Sequence, residues 1–281
     1  MNKHYFNEKQ VEQFEHILMD EEKSSGTIEN YLRHVHSFAD WLGGRQITKQ
    51  ITADWKKYLI KSGYSPVTVN TMLVSLNRFL KVMGWMECRV KFLRIQRRLF
   101  RKADRELSRN EYDKLVNKAR QEKKIRLALI LETLCATGIR VSEVRYITVQ
   151  AAETGQAEIS LKGKVRVILM PHKLCRKLIK YAKKQKIASG EIFVTGNGKS
   201  VGRKQIWAEM KKLAKSAGVP EGKVFPHNLR HLFARTFYKV SRDAAKLADV
   251  LGHSSIETTR IYLISTGEEH VKELDRLRLV V

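Results

Sequence analysis

The chain predicts a mainly α-helical protein in two domains, the second carrying a small β-hairpin. Three observations point there. Its 281 residues exceed the usual small single domain. Apolar residues recur at helical spacing through most of its length. One stretch, "AEISLKGKVRVILMP", alternates instead at the period of strands and turns on a glycine.

Residues 1–89 read as four amphipathic helices. "VEQFEHILM" sets Val11, Phe14, Ile17 and Leu18 on one face, and "SGTIENYLRHVHSFADWL" does the same with Ile28, Leu32, Val35, Phe38 and Leu42. "TADWKKYLIKSG" starts at a cap-type Thr52 and stops at Gly63. "SPVTVNTMLVSLNRFLKVMGW" has Ser65 as N-cap, Pro66 in the first turn, and a stripe of Val69, Met72, Leu73, Leu76, Phe79 and Leu80. Four such helices with short joints make a helical bundle.

Residues 90–105, "VKFLRIQRRLFRKADR", hold seven basic residues and one acid and sustain no long apolar face. They read as a basic interdomain linker, with Arg94, Arg97, Arg98 and Arg101 placed to lie along phosphates. The second domain, 106–281, opens on the capping box "SRNE" at 108–111. An apolar helix ends near Gly138. The hairpin follows, with Ile159 and Leu161 alternating with polar neighbours, Gly163 at the turn, and Val165, Val167 and Leu169 alternating on the return. "IFVTG" reads as a further short strand, and the chain after residue 200 as helices. Val271, Leu274, Leu277 and Val281 fall on one side of a tail helix over 268–281.

The net charge of +25 is unevenly spread: residues 1–90 carry 12 basic and 10 acidic side chains, against 42 and 19 afterwards. Such self-repulsion gains nothing for folding and implies a polyanionic partner, for which nucleic acid fits best. No run of 18 apolar residues marks a membrane span, and the N-terminus lacks an apolar signal core. Cys88, Cys135 and Cys175 are too few and scattered for a disulfide framework or a metal site, which points to the reducing cytoplasm.

Four patches of the second domain hold polar residues in unusual places. "ATGIRVSEV" puts Arg140 and Glu143 directly after a buried helix. "LKGK" puts Lys162 and Lys164 at the hairpin tip. "PHNLRHLFA" puts His227 and Arg230 at the start of an apolar helix. "LGHSSIETTRIY" supplies His253 and Tyr262. In this order and with these strings, the chain resembles the tyrosine recombinase, or phage integrase, family. The matching signature is Arg140, Lys162, His227-x-x-Arg230, His253 and Tyr262, including the nine-residue step from His253 to Tyr262. The resemblance is tight over about residues 130–270. The N-terminal bundle matches the family's core-binding domain in size and pattern only.

The resemblance implies a site-specific recombinase acting on double-stranded DNA through a 3′-phosphotyrosine at Tyr262. Arg140 and Arg230 would clamp the phosphate oxygens, as planar, permanently charged, bidentate donors. Lys162 would protonate the leaving 5′ oxygen, with Lys164 two residues away as its competitor. His227 is the expected base, His253 a donor to the phosphate, and Glu143 a support for these groups. No cofactor or metal is expected, and no Walker-type glycine loop or two-metal carboxylate cluster occurs. The expected assembly is a free monomer and a homo-tetramer on synapsed DNA. "LFARTFYKVSRDAAKLADV" departs from the housekeeping Xer pattern and tilts the role towards a mobile element, in integration, excision or resolution. Two alternatives remain: a type IB topoisomerase-like relaxing enzyme, which uses the same residues, and a catalytically inactive DNA-binding regulator of the same fold.

Overall fold

The first helix, α1 (Glu8–Asp20), begins where Asn7 and Gln10 cap each other's backbone N–H groups. It belongs to a computed structural model describing residues 3–96, 103–161, 164–253, 255–262, 267–277 and 279. The chain divides into two units, Met1–Arg97 and Arg98–Val281. In the first, α1 joins α2 (Ser25–Leu42), α3 (Lys49–Lys61) and α4 (Pro66–Val82) around one apolar core. Phe14 meets Phe79 edge-on at 5.5 Å, and Phe38 meets Trp55 at 5.1 Å. Ser65 caps α4 with Pro66 in its first turn, as expected.

Helix α3 starts one turn earlier than its sequence suggests. Thr48 is the cap, and Thr52 is fully buried, its hydroxyl donating to the Cys88 carbonyl at 2.6 Å. A threonine can satisfy either role, and the competing threonine four residues upstream takes the cap. Residues 90–93 are fixed to α4 by two side-chain amides on one helix face. Asn77 exchanges hydrogen bonds of 2.8 and 2.9 Å with the backbone of Val90, and Asn70 does the same with Leu93 at 2.9 and 2.8 Å. Arg94 is exposed. Arg97, Arg98 and Arg101 lie outside the described residues.

The second unit runs α5 (Arg109–Gln121), α6 (Ile125–Thr137), α7 (Val149–Thr154), β1 (Gln156–Leu161), β2 (Lys164–Leu169), α8 (His172–Lys184), α9 (Arg203–Ser216), α10 (Pro226–Ser241), α11 (Ala244–Leu251), α12 (Ile256–Arg260) and α13 (Gly267–Arg276). The Ser108–Glu111 capping box opens α5. The core gathers on α6, which is buried on nearly every side. Gly138 ends α6 at φ +66°, and a Cβ there would strike the ring of Phe233. "IFVTG" forms only an isolated bridge, Val194 to Ser200, and no strand. No described helix is long and apolar enough to cross a membrane.

The hairpin forms as expected, and its pairing decides which face of β2 turns inward. β1 and β2 pair antiparallel with Leu161 opposite Lys164, so Ile159 faces Arg166 and Ala157 faces Ile168. Two residues between the strands make odd positions pair with even ones. The inner face is therefore Ala157, Ile159, Arg166 and Ile168, while Val165, Val167 and Leu169 point to solvent. A shift of parity by one moves every side chain to the other face.

Candidate active site

Chain reversal at Gly138 leads straight into Arg140, which opens a 3₁₀ turn over Val141–Tyr146. Glu143 in that turn is 1% exposed and accepts three hydrogen bonds. Two come from Arg140, its backbone N–H at 2.7 Å and Nη1 at 3.0 Å; the third comes from Arg166 Nη2 at 2.6 Å. The Arg140 side chain stays 46% exposed, free to meet a ligand from solvent.

Arg230 projects from the first turns of α10 and is 2% exposed. Its Nη1 donates to the Gly138 carbonyl and its Nη2 to the Leu251 carbonyl at 2.7 Å. The same Nη2 lies 2.9 Å from His253 Nε2. Because a guanidinium only donates, Nε2 accepts, which leaves the His253 proton on Nδ1, 2.8 Å from the buried Thr259 hydroxyl. Partial burial, then the charges of Arg230, Arg140 and Arg166, drives the His253 imidazole down to about 4, so it is neutral. His227, at the mouth of α10, is lowered as well, by desolvation of its ring and by Arg230 and Arg140.

Tyr262 follows α12 and is 4% exposed, packed against Ala234, Leu247 and Leu251. Its ring stacks on His253 at 5.8 Å and 11°, and its phenol is close enough to help hold the charge of Arg230. His231 meets it edge-on at 4.5 Å, whereas His227 is 6.2 Å away. The fold thus brings Arg140, Glu143, His227, Arg230, His253 and Tyr262 into one site. Lys162 lies outside the described residues. Lys164 opens β2 by its backbone. Three members escaped the reading of the sequence: Arg166, Thr259 and His231. The last had a visible signal, since "HNLRH" sets His231 one turn from His227 on the same helix face.

A phenol, two guanidiniums and neutral imidazoles suit attack on a phosphodiester. The arginines hold negative charge, and an imidazole can take the phenolic proton. Among the described residues, one group has metal-type donors within 4.8 Å of one another, His4, Glu87 and Cys88 in the first unit. There His4 Nε2 and Glu87 already share a hydrogen bond of 2.6 Å.

Known proteins carry the same two units. The phage integrase family matches residues 105–269, and the phage integrase N-terminal SAM-like domain matches residues 11–86. The tyrosine recombinase XerA of Pyrococcus furiosus is 29% identical, over 94% of this chain and 91% of its own. XerD of Vibrio cholerae is 23% identical, over 94% of each. Among solved structures, a lambda integrase dimer bound to a core site has a TM-score of 0.73 at 18% identity, over 93% of this chain and 77% of that one. XerH bound to its difH substrate has a TM-score of 0.68 at 18% identity, over 95% and 84%. The chain belongs to the phage integrase family, the tyrosine recombinases, which cleave and rejoin DNA at specific sites.

Proposed function

We propose that Tyr262 is the nucleophile of site-specific strand exchange on double-stranded DNA. The observation that carries this reading is the stacking of its ring on His253, the imidazole that Arg230 hydrogen-bonds. Tyr262 Oη attacks the scissile phosphorus, the bond from phosphorus to the 5′ oxygen breaks, and a 3′-phosphotyrosine forms. Arg140 and Arg230 hold the non-bridging oxygens, while His227 takes the phenolic proton, with His231 closer to the ring. Lys162 gives a proton to the leaving oxygen, Lys164 being its competitor. A 5′-hydroxyl of the partner strand then reverses the step. Phosphodiester exchanges for phosphodiester, so neither ATP nor metal is required.

His253 enters differently from a simple donor. Its Nε2 accepts from Arg230 in the free protein. An arriving phosphate competes for Arg230 and raises the affinity of the imidazole for a proton, and Nε2–H then donates to the phosphate. The exposed Val271 and Leu274 of α13, with Leu277 just past its end, support a tail that docks on a second copy during synapsis. The free protein is then a monomer that assembles as a tetramer on paired sites in the cytoplasm. Integrase neighbours support a mobile-element role.

The test is a covalent trap. Wild type incubated with cognate DNA gives an adduct that survives SDS, and Tyr262→Phe binds DNA but gives none. An adduct retained by that variant, mapped elsewhere, removes the assignment. Sequencing the DNA trapped by wild type identifies the target and the cleavage position together.

A further inference from the structure

One charge in the site, with a side chain only 17% exposed, has no role so far. Arg166 stands on the inner face of β2 among Ala157, Ile159 and Ile168, a face an aliphatic residue would fill at lower cost. Its Nε is buried without a hydrogen-bond partner, so part of the desolvation cost of this guanidinium is not offset within the free protein. Its other two nitrogens are committed. Nη2 donates to Glu143 at 2.6 Å, and Nη1 donates to the carbonyl of Leu251. Beside it, Gly252 turns at φ +64°, and a Cβ there would run into the Arg166 side chain. The guanidinium is therefore seated against bare backbone, immediately before His253.

We propose that Arg166 is a positioning residue that sets the two phosphate-holding arginines relative to each other. The contacts form one continuous chain. Arg140 binds Glu143, Glu143 binds Arg166, Arg166 binds the Leu251 carbonyl, that carbonyl binds Arg230, and Arg230 binds His253. Arg166 is the link between the half of the site built after α6 and the half built on α10 and α11. It does not touch the phosphate. A planar fork with nitrogens on separate arms spans a carboxylate and a carbonyl at once, which a lysine ammonium does not. The inference rests on the assignment of Arg140 and Arg230 to the phosphate.

The test compares single-turnover cleavage of two duplexes carrying the trapped target site. One has the ordinary scissile phosphodiester, the other a methylphosphonate, in which a neutral methyl replaces one charged oxygen. Arg166→Gln should bind both duplexes as wild type does. On the phosphodiester it should cleave about 10–100-fold more slowly, the usual effect of removing an outer partner of a functional group. On the methylphosphonate, with less charge to hold, it should match wild type. Arg166→Lys, which keeps the charge facing Glu143, should fold normally and show a smaller loss of the same kind. Wild-type cleavage by both variants overturns the proposal. So does an equal loss on both duplexes, which marks a purely structural role, or recovery with a 5′-bridging phosphorothiolate, which places Arg166 behind the proton donor. Arg140→Ala is run alongside. If its loss is not larger on the charged linkage, the assignment of the arginines fails, independently of Arg166.

Discussion

Arg230 donates a hydrogen bond to His253 across 2.9 Å, and the imidazole receives it on Nε2. This fixes His253 as a neutral base in the free protein and ties its protonation to stability. An unfolded histidine titrates near 6.5, and His253 in place titrates at about 4. As pH falls, the unfolded chain takes up the proton first. The stability from neutral His253 is complete above pH 6.5, declines below it, and is gone by about pH 4. His227 acts in the same sense. The thermal midpoint should therefore drop between pH 7 and 4.5, and drop less in His253→Gln, whose amide still accepts from Arg230. Parallel pH profiles for the two proteins in circular dichroism melts would rule this out.

Gly138 answers to three demands: a left-handed backbone, contact with the Phe233 ring, and a carbonyl that holds Arg230. Gly138→Ala should cost about 1–2 kcal/mol for the backbone and a further ~1–3 kcal/mol for overpacking. Urea unfolding measures the sum, and cleavage should fall with it. A variant as stable as wild type would show that the turn relaxes freely.

The basic segment should act on all DNA alike. Changing Arg94, Arg97, Arg98 and Arg101 together to Gln should weaken binding to any sequence and flatten the dependence of log K on log salt by about 3–4. Filter binding over a salt series reads the slope. An unchanged slope makes the segment a linker only.

Lys162→Ala should slow cleavage of an ordinary phosphate by about 10²–10⁴-fold, the contribution of a positioned acid. It should cleave a 5′-bridging phosphorothiolate well, because a thiolate leaves without a proton. Recovery seen with Lys164→Ala instead moves the role by two residues.

Removing residues 268–281 should leave binding to a single site intact while abolishing synapsis and strand exchange. Light scattering with paired sites measures assembly. Tetramers and normal recombination by the shortened protein would mean that the tail packs within its own subunit.

The helices and the order of site residues were legible because each rests on local pattern. Stripes such as Val69 to Leu80 report a buried face directly, and the strings around Arg140, Arg230 and Tyr262 each span under a dozen residues. What stayed hidden depends on parity or on distant partners. Arg166 alternates with valines, and which set faces inward is decided by the number of residues at the turn, so nothing in the local pattern singled it out. Thr52 looked like a cap because its partner, the Cys88 carbonyl, comes 36 residues later. Thr259 became part of the site only once the fold set it against His253. Asn70 and Asn77 drew no reading from the sequence, because their work in holding Leu93 and Val90 is a tertiary contact.

The outward face of the hairpin has a practical consequence for handling the protein. In a sheet of two strands each strand is an edge, and β2 presents Val165, Val167 and Leu169 to water at 68%, 49% and 71% exposure. β-branched residues on an open edge are a template for unwanted strand pairing. At high protein concentration this ribbon is the expected site of edge-to-edge pairing. A lysine in place of Val167 guards that edge by charge repulsion and leaves the inward face, with Arg166, as it is.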